Sequence, residues 1–395
     1  MRTRPALLWH RWFGVLGGPW LFLIAATGSL LAFYPEIDRA LNPDLLRAPV
    51  ARAAAEPARI APMMAEAEAR WPGMDARYAV MPRAPDGTVR VRLFRRPDGP
   101  GVDGHPRDVY FDPASGAMLG SRVWGEVGLD ARRLVPFLYE FHSTLHAGET
   151  MAWLLGVLAL LWFADHLVSA PIALGTARRW PAAFRVRRSV GGHKRWFDLH
   201  RALSMWLLPV TATLAITGAS FNLHDEFRAV LDRTSAPART SADDHPVLDQ
   251  PFRAPPVDAD KALATARAES GGAAAYLVQY DLKRGLWTVP VHDPRDLDRH
   301  GARRIVVHAR TGRVVEDSHW TQGTMGDAVL AWQFPLHSGQ AFGLAGRVLV
   351  LLAGLATCSA VVTGYLIWWR KLSARRIHAA RHGAAPSFGA LQPAE

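Results

Sequence analysis

Four long runs with almost no charge constrain this chain more than any other feature. Residues 13–34, 202–223 and 348–369 hold no Asp, Glu, Lys or Arg, and 151–174 holds only Asp165, next to His166. At about 1.5 Å of rise per residue, some 20 apolar residues in a helix cross a hydrocarbon core of about 30 Å. All four runs are long enough to span a bilayer. Polar groups are costly in lipid, so Asp165 and His166 are expected to face a bundle interior and find partners there. The first run follows Arg2 and Arg4, as a signal peptide would. It is too long for a signal core, no small-x-small site closes it, and a near-copy recurs in mid-chain. A retained helix is expected.

The net charge of +11 invites a nucleic-acid reading, but its distribution opposes one. Arg178, Arg179, Arg185, Arg187, Arg188, Lys194 and Arg195 crowd the stretch between the second and third runs, and Arg370, Lys371, Arg375, Arg376 and Arg381 follow the fourth. The longer segments 35–136 and 225–330 mix acids and bases almost evenly. Short basic loops stay in the cytoplasm. The expected topology therefore puts both termini and the basic loop on the cytoplasmic side, with both long segments on the other. Cys358 is the only cysteine, which excludes an internal disulfide, a thiolate metal cluster and a C-x-x-C-H haem attachment.

The chain repeats itself. Residues 9–41 align without a gap on 199–231, laying His10 on His200, Pro19 on Pro209, Thr27-Gly28 on Thr217-Gly218 and Glu36 on Glu226. Leu145-His146-Ala147-Gly148 meets Leu336-His337-Ser338-Gly339, and 110–116 meets 306–312. Each long segment reads as an α+β module: an Ala-rich helix (62–70; 259–269), strands such as 88–94 and 275–280, and a hairpin turning at Ser115-Gly116 or Thr311-Gly312. Pro, Gly and Asp mark loops around 97–104 and 235–256. The expected fold is an α-helical membrane protein, a four-helix transmembrane bundle from an internal duplication with two periplasmic α+β modules. Its divisions are 1–34 (first span), 35–136 (first module), 137–175 (second span), 176–198 (basic loop), 199–224 (third span), 225–330 (second module), 331–370 (fourth span) and 371–395 (basic tail). A pseudo-two-fold axis along the membrane normal would relate the halves.

Histidines recur at the span ends in two tiers, His142, His146 and His337 outside and His10, His166 and His200 inside. His142 and His146, four apart, share a helical face. Any one of them alone is as well explained as an interfacial histidine solvated by headgroups. The set is harder to dismiss, because the repeat places His10 with His200 and His146 with His337. Neutral imidazole is a good axial ligand for haem iron, and two on opposing helices make a six-coordinate electron-transfer site. Two such layers would suit a two-haem b-type conduit. His10, His200, His146 and His337 are the expected ligands, with His142 and His166 as alternates; which pairs with which is open. Zinc or copper at the outer tier, completed by Glu140 or Glu149, is the rival assignment. Asp165 could support an inner ligand or simply contact another helix. The tryptophans (Trp9, Trp12, Trp153, Trp196, Trp332, Trp368, Trp369) suit an interfacial belt.

The motifs His10-Arg11-Trp12, His200-Arg201, Leu145-His146, Leu336-His337-Ser338-Gly339 and Thr363-Gly364-Tyr365-Leu366-Ile367-Trp368-Trp369, with the Thr-Gly pairs, resemble the PepSY-associated transmembrane family, over nearly the whole chain. Its members include inner-membrane ferric-siderophore reductases of the ferrioxamine-reductase type. The resemblance implies PepSY-like periplasmic modules, haem b held by transmembrane histidines, and electron transfer from the cytoplasmic side to a ferric complex in the periplasm. The second span departs from the pattern, ending Ser169-Ala170-Pro171-Ile172-Ala173-Leu174 without the Thr-Gly and Trp-Trp of the fourth. No G-x-G-x-x-G opens a helix after a strand and the stretch after Lys371 is short, so a separate electron donor is expected. Two other readings compete. One is a non-enzymatic envelope protein with protease-inhibitory or chaperone-like modules; the other is a metal transporter, disfavoured by the few intramembrane charges. Arg90, Arg92, Arg95 and Arg96 could attract an anionic chelate, although solvated strand positions explain them as well.

Overall fold

The computed structural model describes residues 4–49, 59–96, 104–176, 178, 180–187, 191–238 and 245–381. Arg2, Arg179, Arg188, loop residues 97–103 and 239–244, and the tail beyond 381 lie outside the described residues. Along the chain come α1 (Arg4–Leu31), α2 (Tyr34–Leu41), α3 (Pro43–Leu46), α4 (Ile60–Arg70), β1 (Met74–Val80), β2 (Val89–Arg95), β3 (Arg107–Phe111), β4 (Met118–Val123), α5 (Leu134–Thr144) and α6 (Gly148–Leu174). After α7 (Trp180–Ala183) follow α8 (Gly192–Trp206), α9 (Leu208–Asn222), α10 (His224–Thr234), α11 (Ala259–Glu269), β5 (Leu277–Asp281), β6 (Leu286–Val291), β7 (Arg303–His308), β8 (Val314–Ser318), α12 (Met325–His337) and α13 (Gly343–Arg381). The chain divides into two compact units, one of residues 1–29, 154–219 and 349–395, the other of 30–153 and 220–348.

The first unit is helical. Among the described residues three helices are long and apolar enough to cross a membrane, Arg4–Leu31, Gly148–Leu174 and Gln340–His378. The bent pair Lys194–Trp206 and Leu208–Asn222 makes a fourth if counted as one span. Only 28%, 22% and 33% of the most apolar windows of the three long helices are buried. Leu16, Leu23, Leu167, Leu352 and Leu355 lie exposed on their outer faces. Helices apolar all round, inside and out, suit lipid rather than water. The third run was expected as one span over 199–224; the structure bends it by 65° at Leu207. Pro209, at the second position of α9, explains the break, since it has no N–H to give the Met205 carbonyl four residues earlier and its ring crowds that carbonyl. Its copy Pro19 sits inside unbroken α1, where Gly17-Gly18 offer no side chain to clash. Those glycines also admit neighbours: a Cβ on Gly17 would come within 3.1 Å of Leu158, and one on Gly18 within 3.3 Å of Tyr365. The Tyr365 hydroxyl donates to the Val15 carbonyl, so α1 is fastened along α13.

The second unit corrects an expectation. Two separate α+β modules were expected, but their strands form one antiparallel sheet in the order β4-β3-β2-β1-β5-β6-β7-β8. The seam is short, pairing Tyr78 with Gln279, Ala79 with Val278 and Val80 with Leu277. Apart, each module would leave a row of unpaired backbone groups on β1 or β5; together they cover both edges. The helices reinforce the seam, because the Asp260 carboxylate of α11 accepts the backbone N–H groups of Ile60 (2.7 Å) and Ala61 (3.1 Å) at the start of α4. An anion there meets the orphan donors and the positive end of the helix dipole.

One face of the sheet is apolar. Val89, Val91 and Leu93 of β2 are sealed, as are Val109, Val278, Val289, Ile305 and Val307, against Met63 and Ala67 of α4 and Ala262 and Ala266 of α11. Strand side chains alternate faces, so Arg90 and Arg92 must point the other way. There they meet Asp108: Arg92 donates at 2.5 and 2.8 Å, with Arg90 at 3.8 Å. Burial would raise the Asp108 carboxyl, but Arg90 and Arg92 hold it below the usual range. Arg96 is bound to Asp75 at 2.6 Å. Arg90, Arg92 and Arg96 are thus engaged by carboxylates of the sheet while Arg90 and Arg96 stay partly solvated, and Arg95 is exposed.

Candidate functional site

In the helical unit His10 of α1 and His200 of α8 face each other, with ring centres 6.1 Å apart and planes inclined by 62°. Each is held through the same nitrogen. His10 Nδ1 lies 2.9 and 3.1 Å from the two carboxylate oxygens of Asp165 on α6, a residue only 6% exposed. His200 Nδ1 lies 2.9 Å from the Ala360 carbonyl and 3.2 Å from the Thr363 hydroxyl on α13. A carbonyl or ionised carboxylate can only accept, so both rings carry their proton on Nδ1. That leaves Nε2 of each with a lone pair, and neither Nε2 has a hydrogen-bond partner among the described residues.

The Thr-Gly pair of α13 builds the seat for His200. Thr363 returns its own hydroxyl hydrogen to the Ser359 carbonyl at 2.7 Å, and a Cβ on Gly364 would stand 3.4 Å from His200 Cε1. A small residue at 364 therefore lets the imidazole lie flush against the helix.

His166, an alternate ligand in the sequence reading, is otherwise engaged. Its Nδ1 donates to the Trp162 carbonyl at 2.7 Å, and its Nε2 is 2.8 Å from the Thr211 hydroxyl of α9. With both nitrogens bonded it is a link between α6 and α9. Asp165 supports His10, on another helix, rather than its neighbour His166.

In the sheet-bearing unit the arrangement differs from the expectation in one histidine. His142 of α5, not His146, lies against His337 of α12, with ring centres 6.3 Å apart and planes inclined by 61°. Phe221 stands edge-on to His337 at 5.4 Å. His146 is stacked on Phe137 at 4.8 Å and 15°, and its Nε2 donates to the Phe137 carbonyl at 3.2 Å. The cause is the backbone. Helix α5 ends at Thr144, and both Leu145 (φ 51°) and His146 (φ 57°) take the left-handed conformation before α6 begins at Gly148. His142 and His146 thus no longer share a helical face. His337 ends α12 instead of opening a span; a short 3-10 turn, Gln340–Phe342, leads on to α13. Glu140 is occupied by the Thr144 hydroxyl at 3.0 Å, and among the described residues no three His, Cys, Asp or Glu side chains converge as metal ligands would.

Long apolar helices and two pairs of partly buried histidines, one pair in each unit, mark a multi-pass membrane protein with two candidate ligand sites. The chain belongs to the family described as the PepSY-associated TM region, whose profile matches residues 7–371. No curated protein matches it.

The resemblance implies haem b, and both pairs satisfy the first demand of that group. Two metal–imidazole bonds of about 2 Å, plus about 1 Å from each ring centre to its nitrogen, put the centres of an axial pair about 6 Å apart. In the His10–His200 pair Nδ1–H is held by an acceptor and Nε2 is left over, the usual state of a ligating histidine. Sequence reasoning missed the Ala360 and Thr363 anchors and Arg347, which grips Glu36 at 2.8 and 2.5 Å and the Ala32 carbonyl at 2.8 Å. An arginine at the edge of an apolar run was the available signal for the last.

Proposed function

We propose that this chain is a haem b-containing inner-membrane reductase that passes electrons from a separate cytoplasmic or membrane donor to a ferric siderophore in the periplasm. In this reading the four apolar segments span the membrane as two copies of one unit, with both termini cytoplasmic and the sheet periplasmic. The observation that carries it is the His10–His200 pair, two imidazoles about 6 Å apart, each anchored at Nδ1 and open at Nε2. His142 and His337 would hold a second haem.

Bound haem would supply a one-electron iron couple on each side. The chain's own residues do the rest. Asp165, Ala360 and Thr363 hold the imidazoles in one tautomer and one orientation, so nothing need rearrange when the charge on iron changes. Apolar helix faces keep water from the inner pair. At the outer end, reducing a siderophore's Fe(III) to Fe(II) weakens its grip on hard oxygen donors and frees the iron.

A pyridine haemochrome assay on the purified chain tests this. Two haems per chain are expected, falling to one on His10→Ala, His200→Ala, His142→Ala or His337→Ala. His146→Ala and His166→Ala should keep both. A colourless protein at every stage of purification would overturn the proposal and favour the non-enzymatic envelope reading.

A further inference from the structure

We infer that Asp165 is a positioning residue that sets the redox balance of the inner histidine pair, a role that rests on the haem reading above. The two members of the pair are held alike in geometry but not in charge. His200 leans on neutral acceptors, the Ala360 carbonyl and the Thr363 hydroxyl. His10 leans on a carboxylate that offers both oxygens to one N–H, from a residue 6% exposed. The carboxylate side of the contact is buried, its side chain 9% exposed, so the contact is screened less than a surface pair would be.

A carboxylate behind a ligating imidazole fixes its tautomer and raises its basicity. A more basic axial ligand donates more density to iron and favours Fe(III) over Fe(II). Asp165 therefore makes the inner couple harder to reduce than a neutral acceptor would, and it does so through His10 without touching the metal. The position also explains a costly choice. An ionisable group in an apolar run is expensive, and the structure gives Asp165 one polar partner, His10, on a different helix.

The test is spectroelectrochemical titration of the full chain with its haems. Asp165→Asn keeps an acceptor for Nδ1–H and removes the charge. It should shift the Fe(II)/Fe(III) ratio of one couple about tenfold or more toward Fe(II) at fixed potential, about 59 mV for one electron, and leave the other couple in place. Asp165→Ala removes the anchor too and should cost about 10- to 100-fold in retention of the inner haem, with the outer haem kept. Asp165→Glu should restore the low couple. If the wild type carries two haems and Asp165→Asn moves neither couple, Asp165 is a helix contact only and this inference fails while the haem reading stands. A wild type without haem defeats the haem reading itself.

Discussion

Asp38 and Arg122 are both nearly sealed from solvent, their side chains 8% and 3% exposed, and they meet through two hydrogen bonds of 2.7 and 2.6 Å. Asn42 adds its amide to the same carboxylate at 2.9 Å. Removing one member of such a pair strands a buried charge, so Asp38→Asn is expected to destabilise the sheet-bearing unit by about 3–5 kcal/mol. Arg132 and Asp44 make a superficially similar contact on the surface, 41% and 59% exposed. Water screens that pair, and Asp44→Asn should cost under about 1 kcal/mol. Denaturant midpoints of the two variants decide the matter; equal losses would mean that burial does not govern these contacts. The same physics runs through the candidate sites. Which ring nitrogen is hydrogen-bonded determines which is left over: Nε2 in His10 and His200, neither in His166.

Among the elements, the repeated α+β stretches were readable in advance where local chemistry is strong. The helix expected over 259–269 is α11, the strand expected over 88–94 is β2 to within a residue, and both hairpins turn at glycines with positive φ, Gly116 at 74° and Gly312 at 73°. What joins them was not readable. Pairing of β1 with β5 unites residues some 200 apart, and no local pattern announces it. The seam suggests its own test. Val278 is fully buried and sits opposite Ala79, so Val278→Pro removes a ladder donor in mid-seam. Amides of 76–80 should then exchange with solvent well before those of 89–93, which β3 still holds. Uniform exchange across both strands would show instead that the halves are welded by α4 and α11. At the α5–α6 junction the period of four between His142 and His146 implied a shared face. Two left-handed residues cancelled that inference, because a helical spacing argument holds only while the helix continues.

For the molecule as a whole, charge and apolarity are sorted by unit. Most carboxylates held low by arginines lie in the sheet-bearing unit, Asp198 beside Arg187 being an exception: Glu36 through Arg347, Asp317 through Arg303, and Asp108 through Arg90 and Arg92 against its burial. A group whose pKa is lowered on folding binds fewer protons folded than unfolded, so its stabilisation is present above about pH 4 and lost as acid protonates it. Glu68, raised by burial, acts in the opposite sense. The thermal midpoint of this unit should therefore drop steeply below about pH 4. A flat profile down to pH 3 would count against the ion pairs as supports. Composition and hydropathy alone marked this as a membrane protein with histidines near the ends of its apolar runs, since some 20 apolar residues in a helix suffice to cross a hydrocarbon core. Which histidines face one another, which nitrogen each leaves open, and that two modules share a single sheet were decided by packing, because each depends on contacts between residues far apart in the chain.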